Sequence, residues 1–283
     1  MRKNPESRFE VMPVPDEDPR RFQRMFCSVG PAIQIAYGIG MKFSAVDAAF
    51  LKYTIYRDGC FHLLTTRDGN NRVLPLAWAI CETESGATYT WFAAKCMEAG
   101  LGRYLGGCSV IFSDRMKGIN DFFDSFDSWI GSCFKHIIGN CRKHCAGSGT
   151  TFEDRMAWML QRAPTRADYE RQLAAIKSGC PPAAHYFDTQ CFHNHVYQYK
   201  WNQWKIPTQG FSTSQIVECV NGVFVGARFE APYLFNPEVL LWMGKQFEAR
   251  TQEMKEWIAK GHILTPYAHN LFAVQVGPTL TCL

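Results

Sequence analysis

Residues 108–118 read CSVIFSDRMKG. Most of the first six residues suit a buried strand, and the run then stops at Asp114, with Arg115, Lys117 and Gly118 directly beyond it. Upstream, between Ser85 and Gly100, Tyr89, Phe92, Ala93 and Cys96 recur at the spacing of one helix face. Downstream, Ile119, Phe122, Phe123 and Phe126 give a second amphipathic helix, and WIGSCFKHII (129–138) a short strand or a strand-to-helix passage. Before the first of these helices, MKFSAVDAAFLKYT (41–54) reads as a strand. CFHLLTTRDGNNRVLPLAWAICE (60–82) reads as two more, joined by the turn cluster Asp68-Gly69-Asn70-Asn71. The last of these is apolar nearly throughout, but Pro75 lacks a ladder donor and predicts a place at the rim of the sheet.

A three-strand meander followed by helix, strand, helix and strand is an α/β order. It predicts an RNase H-like fold, a mixed five-stranded sheet flanked by helices. Residues 1–40 are Pro-rich and charge-rich at the start, with a helical spacing from about Asp18 to Ala36, and read as a lead-in segment. Residues 41–145 form the first part of the core and 146–210 an all-helical insertion. That insertion is signalled by the capping patterns Thr150-x-x-Glu153 and Thr165-x-x-Asp168. Residues 211–283 return to the core with helices over Ser214–Ala227 and Pro237 to about Lys260.

At 283 residues, 47% of them apolar, the chain has material for a substantial core. Thirty basic against 26 acidic side chains leave +4, a bias that permits nucleic-acid binding without arguing for it. Twelve cysteines are scattered along the chain, and residues 1–25 lack the apolar stretch of a signal peptide, so the expectation is an intracellular protein with reduced thiols. No apolar run approaches membrane-spanning length.

Asp47, in FSAVDAAFL, is the sharpest anomaly, because an ionised carboxylate among apolar neighbours is costly unless paired or facing a metal. A misplaced strand boundary or a core ion pair fits that pattern as well as a metal ligand does. Asp114 alone fits a helix cap better. Together the two acids gain weight, since a helical crossover can lay the fourth strand beside the first and bring them to one end of the sheet. Adjacent carboxylates repel unless a cation intervenes, and hard oxygen donors suit Mg²⁺ or Mn²⁺. A pair of such ions can serve phosphoryl transfer, which usually requires a third acid. Glu218, in STSQIVECVN (212–221), is the candidate, although by composition it is an ordinary helix glutamate.

Read as a set, VDAAFLK, RDGNNRVLPLAWAICETE, WFAAKC, VIFSDRMKGI, CFKHIIGN, STSQIVECVNGVF and LTPYA resemble successive blocks of the Mutator-like element transposases, over roughly residues 4–276. The resemblance implies a DDE catalytic core on an RNase H-like fold. Asp47, Asp114 and Glu218 would be the catalytic acids holding two Mg²⁺ or Mn²⁺ ions. The family's C-x-x-H signature falls on Cys133 and His136, for structural support or DNA contact, with zinc as the lesser alternative because two ligands do not complete a site. His185, Cys191, His193 and His195 form a second cluster, with either an ordinary or a metal-binding role.

The sequence departs from the family pattern at Ala48, Gln215 and Cys219, none of which removes an acid, and residues 1–40 lack Cys/His zinc spacing. The expectation is therefore a nearly bare catalytic core. The implied activity is DNA transposition: cleavage at element ends and strand transfer into target double-stranded DNA, in the nucleus, by a homo-oligomer. Arg115, Lys117, Lys135, Arg142, Lys143 and Arg228 are the candidate phosphate contacts. The alternatives are a host-recruited or inactive derivative that binds DNA or regulates, and a plain RNase H-like nuclease.

Overall fold

The computed structural model describes residues 4, 6–14, 21–39, 43–106, 110–115 and 118–276. Outside the described residues lie Lys117, Asp18 to Arg20 of the expected first helix, and the expected strand starts Met41–Lys42 and Cys108–Ser109. Strands β1 (Arg8–Pro13), β2 (Phe22–Ser28), β3 (Phe43–Phe50), β4 (Cys60–Arg67), β5 (Val73–Cys81), β6 (Val110–Ser113) and β7 (Trp129–Ser132) make a mixed sheet. Its order is β1-β2-β5-β4-β3-β6-β7. The helices are α1 (Gly30–Ile39), α2 (Gly86–Glu98), α3 (Gly102–Leu105), α4 (Ile119–Phe123), α5 (Phe134–Cys145), α6 (Asp154–Gln161) and α7 (Arg166–Gly179). They continue with α8 (Pro181–Thr189), α9 (His193–Val196), α10 (Gln198–Gln203), α11 (Gln215–Val223), α12 (Pro232–Ala259) and α13 (Pro266–Val276). No described helix is long and apolar enough to cross a membrane.

The sheet has seven strands, not five. The additional two come from the stretch expected to be a tail and a helix: Phe22–Ser28 is extended, pairs antiparallel with β1 and β5, and only from Gly30 does a helix begin. Met25 to Ser28 are buried without alternation, so the strand carries no period-two signal, and Phe22, Phe26 and Val29 mimic a helical spacing.

The chain divides into two compact units. One comprises Met1–Gly40, Ala48–Thr83 and Cys219–Leu283, the other Met41–Asp47 and Glu84–Glu218. In the first, β1, β2, β5 and β4 run antiparallel in that order. Pro75 is therefore interior rather than at a rim. The β4–β5 register shifts between Leu64 and Thr65, and the β2 pairing ends at Ala77, so the missing N–H of Pro75 falls where the ladder is already interrupted. The turn after β4 is held by Asp68, whose Oδ1 accepts from the N–H groups of Asn70 and Arg72 at 2.9 Å each, with Asn71 left-handed at φ 61°. Buried Trp78 donates to Asn236 Oδ1 of α12 at 2.9 Å, and Phe61 stacks edge-on with Phe235 at 4.7 Å.

In the second unit β3, β6 and β7 are parallel, with Phe43 opposite Val110, Ala45 opposite Phe112 and Ser113 opposite Ser132. β6 is buried along its whole length, as a parallel strand covered on both faces should be. α2 starts at a complete capping box, Ser85 Oγ accepting from the Thr88 N–H and Thr88 Oγ1 from the Ser85 N–H. Tyr89, Phe92, Ala93 and Cys96 are buried, as their spacing predicts. Gly118 caps α4 at φ +95°, and a Cβ there would come within 2.6 Å of the Gly86 nitrogen, so only glycine lets the two helix starts approach.

Residues 146–210 hold helices only, and these close on α5 in one apolar core that includes Phe134, Ile137, Leu160, Ile176 and Phe187. Thr165 caps α7 as expected. The Thr150–Glu153 box does not form: Thr150 Oγ1 is instead within 2.8 Å of Ser148 Oγ and 3.2 Å of the Cys180 thiol, and Glu153 caps α6 without a side-chain bond.

Candidate functional site

Parallel strands deliver their side chains to one end of a sheet, and the predicted acids follow from that register. Asp47 and Asp114 each stand two residues beyond the last matched pair, Ala45 with Phe112. Asp47 is 9% exposed and Asp114 half-buried. Both acids act electrostatically on a group that the sequence did not single out. Tyr89, on the buried stripe of α2, donates its hydroxyl to Glu84 Oε1 at 2.9 Å. Burial first, then the Glu84, Asp47 and Asp114 carboxylates, push that hydroxyl far above its usual range. Glu84 is itself raised, chiefly by burial and further by Asp114, with the Tyr89 bond offsetting part. Glu84 is thus bonded to a neutral phenol that also feels the charges of Asp47 and Asp114. The only signal for Glu84 was an acid just past the end of β5.

The third predicted acid arrives from the other direction. At the end of β7, the Cys133 N–H donates to the Ser113 carbonyl at 2.7 Å and the Phe134 N–H to the Ser212 carbonyl at 3.0 Å. This seats the start of α5 beside both the end of β6 and the segment leading into α11. Cys133 is the N-cap of α5, and His136 lies one turn on. Glu218 is in the first turn of α11, where the helix dipole favours an acid. Its Oε2 accepts from Lys135 Nζ at 2.9 Å, and its Oε1 lies 3.8 Å from His136 Nε2.

His136 is pushed up to about 9, mainly by its contact with Cys133 and with help from Glu218 and Asp114, against a lowering by burial. Cys133 shows the reciprocal effect: burial pushes its thiol up, but polar contacts with His136 and Ser214 outweigh that and leave it below its usual value. These are attractions rather than well-formed hydrogen bonds, since His136 Nδ1 and Ser214 Oγ are buried without hydrogen-bond partners, as is Glu218 Oε1.

The structure therefore gathers the predicted residues unequally. His136 feels both Asp114 and Glu218, and Tyr89 feels both Asp47 and Asp114. Among the described residues, the one trio of His, Cys, Asp or Glu ligand atoms within 4.8 Å of one another is Cys133, His136 and Glu218.

Of the predicted phosphate contacts, Lys135, Arg142 and Lys143 line a pocket of about 370 Å³ on α5 with Asn140, Asp154 and Trp158. Arg142 is paired there with Asp154 at 2.5 Å. Arg115 turns to the helical segment, donating to the Gln190 carbonyl at 2.6 Å and to the Tyr186 hydroxyl. Arg228 belongs to the other unit, where it reaches the Phe50 carbonyl at 3.4 Å. In the second His/Cys cluster, His193 bonds the Tyr199 hydroxyl at 2.8 Å and the Asp188 carbonyl at 3.0 Å, Cys191 is buried and His185 is exposed. All described cysteines are free thiols. No protein-family model and no curated protein matches the chain.

Proposed function

We propose that this protein is the DDE-type catalytic core of a DNA transposase of the Mutator-like class, built on an RNase H-like sheet. The observation that carries the reading is the equal placement of Asp47 and Asp114 past the parallel register of β3 and β6. The strand order β5-β4-β3-β6-β7, followed by helices before Glu218, supports the RNase H-like assignment, with β1 and β2 as additions beyond β5.

Asp47, Asp114 and Glu218 would hold Mg²⁺ or Mn²⁺. In donor chemistry these residues fit such ions: all are oxygen donors, and Glu218 keeps a buried oxygen without a hydrogen-bond partner. When bound, the ions supply Lewis-acid stabilisation for phosphodiester cleavage and strand transfer. Tyr89, kept neutral by its surroundings, holds Glu84 in place beside Asp114. Lys135, Arg142 and Lys143 offer positive charge to a DNA backbone along α5.

A second reading, a host-recruited or inactive derivative that binds DNA without cutting it, is favoured by one feature: Glu218 is paired with Lys135 and drawn toward Cys133 and His136. Nicking of supercoiled plasmid in Mg²⁺ or Mn²⁺ separates the two. Asp47→Ala and Asp114→Ala should each abolish metal-dependent nicking while DNA binding persists. Undiminished nicking by either variant defeats the catalytic reading, and DNA binding without nicking by the unmodified chain supports the second.

A further inference from the structure

Cys133, His136 and Glu218 bring a thiol sulfur, an imidazole nitrogen and a carboxylate oxygen within 4.8 Å of one another, from the first turns of α5 and α11. That donor set differs in kind from the oxygen-only set of Asp47 and Asp114. Sulfur and imidazole select borderline-soft divalent ions over Mg²⁺. From this juxtaposition we infer that the chain carries a second metal site, for zinc or a chemically similar transition-metal ion, ligated by Cys133 Sγ, a ring nitrogen of His136 and a carboxylate oxygen of Glu218.

Two further observations support it. The carboxylate oxygen turned to His136, Glu218 Oε1, is buried and makes no hydrogen bond, and His136 Nδ1 is in the same condition. Lys135 engages the other oxygen, Oε2, and its exposed side chain leaves Oε1 to an ion. Zinc bonds of about 2.0–2.3 Å set neighbouring ligand atoms roughly 3.5 Å apart, so closing the site takes an inward shift of about 1 Å.

Ion binding would form sulfur–metal, nitrogen–metal and oxygen–metal bonds and release to solvent the protons carried by the thiol and the ring. Three protein ligands leave a fourth position for water or a ligand oxygen, the arrangement of an open rather than a closed site. The site does not depend on the transposase reading. Where that reading holds as well, one carboxylate serves both sites and the two metals compete for it.

Titration of the full chain with Co²⁺, without DNA, tests the proposal. The unmodified protein should develop thiolate-to-cobalt charge-transfer absorption that Zn²⁺ removes and Mg²⁺ does not. Cys133→Ser should lose that band. Because Cys133 is buried and its replacement can perturb folding, Glu218→Gln supplies the second arm and should weaken Co²⁺ affinity on the order of tenfold or more. Absence of the band in the unmodified protein, its persistence in Cys133→Ser, or an unchanged affinity in Glu218→Gln overturns the site. None of these readouts involves DNA cleavage, so the failure of either proposal is seen separately.

Discussion

Both units hold one-to-one ion pairs, but among the described residues only the second also gathers several ionisable groups of metal-ligating kind at one place. In the antiparallel unit charge fastens loops: Arg250 of α12 pairs with Asp68 at 3.0 Å and donates to the Val73 carbonyl at 2.8 Å, while Thr265 donates to the Gly69 carbonyl at 2.6 Å. Arg24 and Glu82 pair in the same manner across β2 and the end of β5. In the other unit, Tyr89 bonds Glu84 within the field of Asp47 and Asp114, and Glu218 meets Lys135, His136 and Cys133. Acids placed one to a base are fasteners. Acids whose fields meet at a neutral hydroxyl repel one another, and such an arrangement is held by the surrounding fold rather than stabilising it.

Substitutions in the antiparallel unit should therefore act on stability, and the largest effect is expected at Trp78. Trp78→Ala removes a fully buried ring and its bond to Asn236, and should cost about 3–5 kcal/mol in denaturant unfolding. A cost below about 1 kcal/mol would mean that α12 is not held through this contact.

His62 gives the next effect, through pH. Burial, aided by Arg24 and opposed by the backbone at Cys60, lowers this fully buried imidazole from 6.5 to about 4. The folded state therefore holds the ring neutral where the unfolded chain already binds a proton. The contribution is present above pH 6.5 and is lost as the pH falls from 6.5 towards 4, amounting to roughly 3 kcal/mol, and it stays constant below that. His62→Leu should flatten that part of the stability-against-pH curve. An unchanged slope would assign the acid sensitivity to other groups.

These contrasts bear on what a sequence can disclose. β3 to β7 and α2 were legible because each has a short apolar run or a helical stripe bounded by turn chemistry. β2 was not, because a strand buried on both faces loses its alternation, and Arg24 within it becomes tolerable only through Glu82, 58 residues away. Asp47 was legible as an acid in an apolar run. Tyr89 occupies an ordinary core position of α2, and only the fold reveals that its hydroxyl meets Glu84 beside Asp114. The Cys133–His136 spacing was visible, whereas its meeting with Glu218 depends on the backbone bonds of Cys133 and Phe134 to Ser113 and Ser212.

Arg250→Met tests the fastener view more gently. It leaves Asp68 with its two backbone N–H donors but without its cation, and should cost roughly 2 kcal/mol, with proteolysis of the turn around Gly69 increasing. A neutral substitution would show that the Asp68 backbone bonds and the contacts from Thr265 and Tyr267 hold the turn without Arg250.

The smallest effect on stability, and the sharpest test of the contrast, belongs to Lys135→Met. Lys135 is 55% exposed and Glu218 26%, so solvent screens their pair, and its loss should change unfolding free energy by less than about 1 kcal/mol. In a fastener that would be the whole consequence. Here the substitution also removes the cation held against Glu218 Oε2, and a carboxylate freed of a competing positive charge binds divalent ions better. Divalent-ion affinity measured by calorimetry should therefore rise while thermal stability barely moves. If stability falls by several kcal/mol and metal affinity stays the same, Lys135 and Glu218 are a structural pair, and the second unit uses its charges as the first one does.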